Sequence, residues 1–147
     1  MKIVQATNEH LSQTAELFDQ YRQFYMQDKN LPAARDFIAQ RLEKQDSVIY
    51  LAIAENQKGL GFTQLFPSFS SVAMQQTYIL NDLFVAQQAR HQGIAKALMN
   101  TAKAFAEKNG AMAIKLATAK SNIAAKSLYE ELGYKQIDSF DYYTLKI

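Results

Sequence analysis

The sequence predicts an α/β (mixed α+β) fold, a mixed sheet with helices on both sides in the order β-α-α-β-β-β-α-β-α-β-β. Three observations carry this. Apolar runs with strand character at Ser47–Glu55, Leu60–Phe66, Thr77–Val85 and Met112–Thr118 are interleaved with segments of helical spacing. A long helical pattern from about Gly93 to Lys108 separates the last two, which a right-handed crossover makes parallel neighbours. The chain of 147 residues is 48% hydrophobic and 12% aromatic, enough for one buried core, so a single domain over residues 1–147 is expected.

The elements follow in order. Lys2–Thr7 reads as a strand, and Asn8 caps a helix whose stripe is Leu11, Ala15, Phe18, the Arg22 stem and Tyr25. Pro32 sits at the start of a second helix, where its missing N–H costs nothing, and Phe37, Ile38, Arg41 and Leu42 continue it. Asn56–Gly59 is a hairpin turn, and Pro67–Ser71 a loop carrying the exposed aromatic Phe69. In the third helix Ile94, Leu98, Thr101 and Phe105 face inward, and Asn109–Gly110 stops it. Ser121 or Asn122 caps a fourth helix that runs through Leu132 and ends at Gly133. Tyr134–Asp138 and Tyr142–Ile147 read as closing strands.

Composition excludes several functions. The chain has no cysteine, which removes a disulfide framework, a thiolate zinc site and a cysteine nucleophile, and no metal is called for. Residues 1–10 lack the apolar core of a signal peptide, and the run Val48 to Ala54 is too short to cross a bilayer. The expectation is a soluble cytoplasmic protein with no membrane partner. A net charge of only +2 argues against a general nucleic-acid binder. Yet residues 90–126 hold seven lysines and arginines against Glu107 alone, while residues 1–89 and 127–147 are each net acidic. Positive charge is gathered in one region, as an anionic ligand would require; Lys103 and Lys108 also suit a solvated helix face.

That region contains Arg90–His91–Gln92–Gly93–Ile94–Ala95–Lys96, where a strand feeds a short polar loop and the loop a helix N-terminus. Such a junction leaves backbone N–H groups unpaired beside the positive end of the helix dipole, a place for a phosphate or pyrophosphate. Gly93 brings the backbone close to an anion, Ala95 keeps the first turn slim, and Arg90 adds a positive fork.

These residues resemble the phosphate loop of the GNAT superfamily of acyl-CoA-dependent N-acetyltransferases, Arg/Gln-x-x-Gly-x-Gly/Ala, at Arg90, Gly93 and Ala95. A second signature, Asn then Ala then Tyr then Leu-Gly-aromatic, stands at Asn122, Ala125, Tyr129 and Leu132–Gly133–Tyr134. The resemblance spans essentially the whole chain. Tyr78–Val85 and the aromatic first helix look most like the small histone/polyamine acetyltransferase branch.

The resemblance implies an acetyl-CoA-dependent N-acetyltransferase that moves an acetyl group to a primary amine (small amine, polyamine, protein lysine or N-terminus) by direct attack. It implies that acetyl-CoA lies between the strands Thr77–Val85 and Met112–Thr118, its pantetheine arm paired with backbone groups of Leu83, Phe84 and Val85. A backbone N–H near Leu83 or Phe84 would hold the developing oxyanion. The diphosphate would sit on the amides of His91, Gln92, Gly93, Ile94, Ala95 and Lys96, and Asn122 would bond the pantetheine arm. Tyr129, two helical turns after Asn122, is by the same resemblance the general acid toward sulfur; a packed core tyrosine is the plainer alternative. Related proteins often dimerise, so a homodimer is expected, with Phe69 as a candidate contact.

The base is where the sequence departs from the branch, which places Glu-Asp where this chain has Asn81–Asp82. Strand alternation sets Asn81 and Asp82 on opposite faces. Asp82 could act through water, bind the cationic acceptor, or be a structural hydrogen-bond acceptor, and bulk water could take the proton unaided. His91 is expected to give only its backbone N–H, and His10 to lie on the surface. Tyr21, Phe24 and Tyr25 fit either a core or an aromatic acceptor wall that favours an ammonium group. Two other readings compete: a non-catalytic CoA-binding regulatory module, slightly favoured by Asn81, and a toxin-like aminoacyl-tRNA acetyltransferase, disfavoured by the acidic balance of residues 1–89.

Overall fold

Apolar alternation over residues 48–53 and 59–70 builds the centre of the sheet, described here from a computed structural model of residues 1–147. Five strands lie in sequence order, β1 (Lys2–Gln5), β2 (Val48–Ile53), β3 (Gly59–Ser70), β4 (Gln75–Val85) and β5 (Ile114–Lys115). The first four pair antiparallel, and β5 pairs parallel to β4, as the crossover predicts. The mixed α/β class expected from the sequence is the observed one.

The helices are α1 (Leu11–Phe24), α2 (Leu31–Lys44), α3 (Ile94–Lys108) and α4 (Ile123–Glu131). Thr7, not Asn8, begins the first helical segment: its side chain accepts from Glu9 N, and His10 closes a capping box on a 3-10 turn before α1. Asn30 caps α2, with Pro32 in the first turn. Asn109 and Gly110 (φ 72) end α3 as expected.

Side-chain contacts assign the faces. Phe62 of β3 meets Phe18 and Tyr21 of α1, and Phe18 stacks on Phe37 of α2 at 5.3 Å. Tyr50 of β2 and Tyr78 of β4 meet Phe105 of α3 on the other face. Leu51, Phe62, Ile38 and Leu98 are fully buried in the common core. Removing such a side chain to alanine costs about 2–5 kcal/mol.

Two expectations fail. Pro67–Ser71 is not a loop, because β3 continues to Ser70, pairing Pro67 with Tyr78 and Phe69 with Gln76. Beyond Leu65 no β2 residue flanks β3, so proline sits on an unpaired edge where its missing N–H is tolerated. The closing strands Tyr134–Asp138 and Tyr142–Ile147 are absent as well. Residues 134–147 form neither helix nor strand, and Phe140, Tyr142, Tyr143 and Leu145 are exposed. Alternating apolar residues make a strand only where a ladder partner pairs with them. The segment expected at Met112–Thr118 is correspondingly shorter, two residues of strand.

The chain divides into two units, Met1–Leu116 and Ala117–Ile147. The first holds the sheet with α1, α2 and α3; the second holds α4. In the second, Asn122 caps α4 by accepting from Ala125 N at 3.2 Å, and Gly133 (φ 93) ends it.

Candidate active site

The site begins where β4 runs out. Ala86, Ala89 and Ile94 are buried and pin the connection to α3 onto the core, while Gln87, Gln88, Arg90, His91, Gln92 and Gly93 are exposed. His91 (φ 63) and Gly93 (φ 77) turn the backbone through the left-handed region, which glycine enters without a Cβ penalty. Gly93 precedes α3 with no side-chain cap, and Ala97 N is the first amide to bond back, to Gly93 O at 3.0 Å. The first-turn amides of Ile94, Ala95 and Lys96 therefore have no acceptor within the helix and lie at its positive end. A Cβ on Gly93 would meet nothing within 4 Å, so the approach is open. The arrangement suits an exposed, doubly charged anion.

Arg90 is tied down. Its Nε donates to Val85 O at 3.1 Å, and its guanidinium lies 5.8 Å from the ring centroids of Phe24 and Phe84. The residue staples the loop to the ends of β4 and α1 and remains exposed.

β5 covers β4 only at Tyr78 and Ile79. Leu83, Phe84 and Val85 pair with Thr63, Phe62 and Gly61 of β3 on one edge and have no strand on the other. Parallel neighbours that part so soon leave backbone groups to which an extended, amide-bearing molecule can add as a further strand. Gly61 keeps β3 close beneath this edge, since a Cβ there would stand 2.7 Å from Phe84 O.

A β-bulge interrupts β4 at Asn81, where Gln64 pairs with Asp82 and the next residue, Leu65, with Leu80. Alternation therefore fails here, contrary to expectation. Asn81 and Asp82 do not point apart: Asn81 Nδ2 donates to Asp82 Oδ1 at 3.1 Å. Asp82 is 5% exposed, and its Oδ2 accepts from Gln64 Nε2 at 2.7 Å. Gln64 Oε1 accepts from Ser47 Oγ at 2.8 Å, and Thr63 Oγ1 donates to Asp82 O at 2.8 Å. Sequence reasoning missed Ser47, Thr63 and Gln64. A glutamine at an inward position between Phe62 and Leu65 was the available signal.

Around Asp82 the α1 face is aromatic. Tyr21 and Phe24 meet Phe84, and Phe24, Tyr25 and Met26 are exposed beside them. Asp19 and Arg22 brace the turn that follows: Asp19 Oδ1 accepts from Asn30 N at 2.9 Å, and Arg22 donates to Asp28 O at 3.2 Å.

In the second unit, Asn122 spends its side-chain oxygen on capping α4, and its Nδ2 is a donor group. Tyr129 lies on α4 with its ring centroid 6.0 Å from that of Tyr134, whose phenol burial pushes above its usual value of 10.

The family model described as "Acetyltransferase (GNAT) family" matches residues 13–134. The chain belongs to the GNAT acetyltransferase family. Across all 147 residues it is 46% identical to the "Uncharacterized N-acetyltransferase YhfO" of Bacillus subtilis (strain 168), covering 98% of that relative. A "Crystal structure of a probable acetyltransferase" superposes with a TM-score of 0.93 at 42% identity, covering all of this chain and 98% of that one. AAC(6')-Iy, solved with the bisubstrate analogue CoA-S-monomethyl-acetylneamine, shares the fold at a TM-score of 0.81 and 18% identity, over 99% and 98% of the two chains. The GNAT assignment makes the protein an acetyltransferase enzyme.

Proposed function

We propose that this GNAT enzyme moves the acetyl group of acetyl-CoA to a primary amine, a small cationic amine or polyamine before a protein lysine or N-terminus. The single observation that carries the reading is the β4–α3 connection. Its amides from His91 to Lys96 lead into the start of a helix with no side-chain cap, its glycine leaves the approach open, and the unpaired edge of β4 leads to it. A diphosphate followed by an amide-bearing arm needs those two features in that order. The CoA analogue held by AAC(6')-Iy is of the same chemical class.

In this reading the amides of His91, Gln92, Gly93, Ile94, Ala95 and Lys96, with Arg90, grip the diphosphate. The backbone of Leu83, Phe84 and Val85 pairs with the pantetheine arm, and Asn122 bonds that arm through Nδ2. Acetyl-CoA supplies the activated acyl group. A backbone N–H at Leu83 or Phe84 stabilises charge on the carbonyl oxygen. Asp82, on the sheet face that carries Phe84 and the α1 aromatics, draws the protonated amine and takes its proton through water. Tyr129 gives a proton to the departing sulfur. Both units act as one acetyltransferase domain, a reading supported by a family match that crosses Leu116. Exposed Phe69, Val72 and Met74 at the β3–β4 tip suit a homodimer contact.

The test is release of free CoA thiol from acetyl-CoA across a panel of primary amines, paired with calorimetric titration of CoA. Amine-dependent thiol release with CoA binding is the expected result. Tight binding without release for any amine would replace this reading with the non-catalytic CoA-binding module. Release only with charged tRNA would replace it with the toxin-like activity.

A further inference from the structure

The carboxylate of Asp82 is held by side chains that no step above uses. Gln64 on β3 and Asp82 on β4 are directly opposed, and the neighbouring pair on the same face is Phe62 and Phe84, so both polar groups lie on the α1–α2 face of the sheet. Gln64 is 1% exposed. A carboxylate only accepts hydrogen bonds, so the amide must present Nε2 to Asp82, as it does at 2.7 Å. The carboxylate sets that orientation, and Ser47, whose hydroxyl donates to Gln64 Oε1 at 2.8 Å, anchors the far end of the amide. Turned the other way, the amide would set Oε1 against a carboxylate oxygen and lose the bond to Asp82. Asn81, exposed at the bulge, supplies the second donor at 3.1 Å.

We propose that Gln64, anchored by Ser47, is a positioning residue for acetyl transfer: it fixes the direction of the Asp82 carboxylate that meets the acceptor amine. This rests on the reading that Asp82 serves the acceptor. The charged or titratable groups of the elements packed over this face are already engaged or distant in kind. Asp19 pairs with Arg22, Asp46 pairs with Arg41, Arg90 is bonded to Val85 O, Tyr21 and Tyr25 are phenols, and Glu16, Asp36 and Glu43 are exposed.

The experiment reads kcat and KM for 1,4-diaminobutane separately in the full-length protein, with the Kd for CoA and the melting temperature beside them. Gln64→Met, which removes the donor and keeps the volume, lowers kcat/KM for the diamine by roughly ten-fold, a loss of about 1.4 kcal/mol, and leaves the Kd for CoA within about two-fold. Ser47→Ala, at a half-buried position that needs no repacking, lowers kcat/KM in the same direction by less, and Ser47→Thr restores it. An unchanged kcat/KM in both variants, or a fall matched by an equal loss of CoA binding or of stability, would overturn the positioning role. A loss of kcat/KM in Asp82→Asn with none in Ser47→Ala and Gln64→Met would sink that role alone. An unchanged kcat/KM in Asp82→Asn would sink the assignment of Asp82 as well.

Discussion

Gly93→Glu separates backbone strain from charge in the proposed phosphate loop. Gly93 stands at φ +77, and an added Cβ would meet nothing within 4 Å. The cost to the fold is therefore the left-handed backbone alone, about 1–2 kcal/mol. In a chain of this size that lowers the melting temperature by roughly 2–8 °C. The new carboxylate, however, would face the diphosphate. At about 4 Å two unit charges repel by about 1 kcal/mol in water and about 4 kcal/mol near a protein surface. The Kd for CoA should then rise by roughly 5- to 1,000-fold, and most at low salt. Gly93→Ala has the same backbone cost without the charge, so it should melt like Gly93→Glu and bind CoA more tightly than it does, with a weaker salt dependence. Isothermal titration of CoA into both variants, at low and high salt, gives the comparison. A folded Gly93→Glu protein that binds CoA as wild type does would refute the loop assignment.

Three further outcomes are expected. Tyr129→Phe should lower kcat by roughly ten-fold or more while leaving the Kd for CoA within about two-fold, since general acids contribute on the order of 10²–10⁴ where protonation limits the rate; an unchanged kcat would remove its acid role. Gly61→Ala would set its Cβ 2.7 Å from Phe84 O, so β3 and β4 must part at that point. It should destabilise by about 1–3 kcal/mol in urea unfolding and weaken CoA binding; a neutral effect on both would show that the strands yield freely. Burial, with the nearby Tyr78 phenol, raises the Tyr50 pKa above 10. The folded chain thus keeps a proton that the unfolded chain loses, and this stability is fully present below pH 10 and declines above it. Tyr50→Phe should flatten the fall in melting temperature between pH 9 and 11, and an identical slope would contradict the assignment.

The turn from β4 into α3 was legible because its signals are local: a glycine, a small residue and the start of a helix stand within one stretch, and Ala89 and Ile94 on either side are buried. The crossover from β4 through α3 to a parallel β5 followed from apolar period and handedness alone. What escaped was set by partners distant in sequence. Pro67 and its serines look like a turn, yet β4 pairs with them on one edge of β3, and β2 has already ended on the other, where the missing N–H is tolerated. Asn81 and Asp82 obey alternation only if no residue is inserted, and the bulge depends on how β3 meets β4, 17 residues away at the Gln64–Asn81 step. Thr7 rather than Asn8 caps the first turn because His10 completes the reciprocal box. The apolar pattern after Gly133 suggested strands, but pattern supplies no ladder, and residues 134–147 have none.

The most direct trial of the account is an amide-resolved titration of the isotope-labelled protein with CoA, compared with adenosine, which lacks the diphosphate and the pantetheine arm. The N–H resonances of His91, Gln92, Gly93, Ile94 and Ala95 should move strongly with CoA and little with adenosine, in step with those of Leu83 to Val85. Binding of CoA that leaves the His91–Ala95 amides where they were would contradict it.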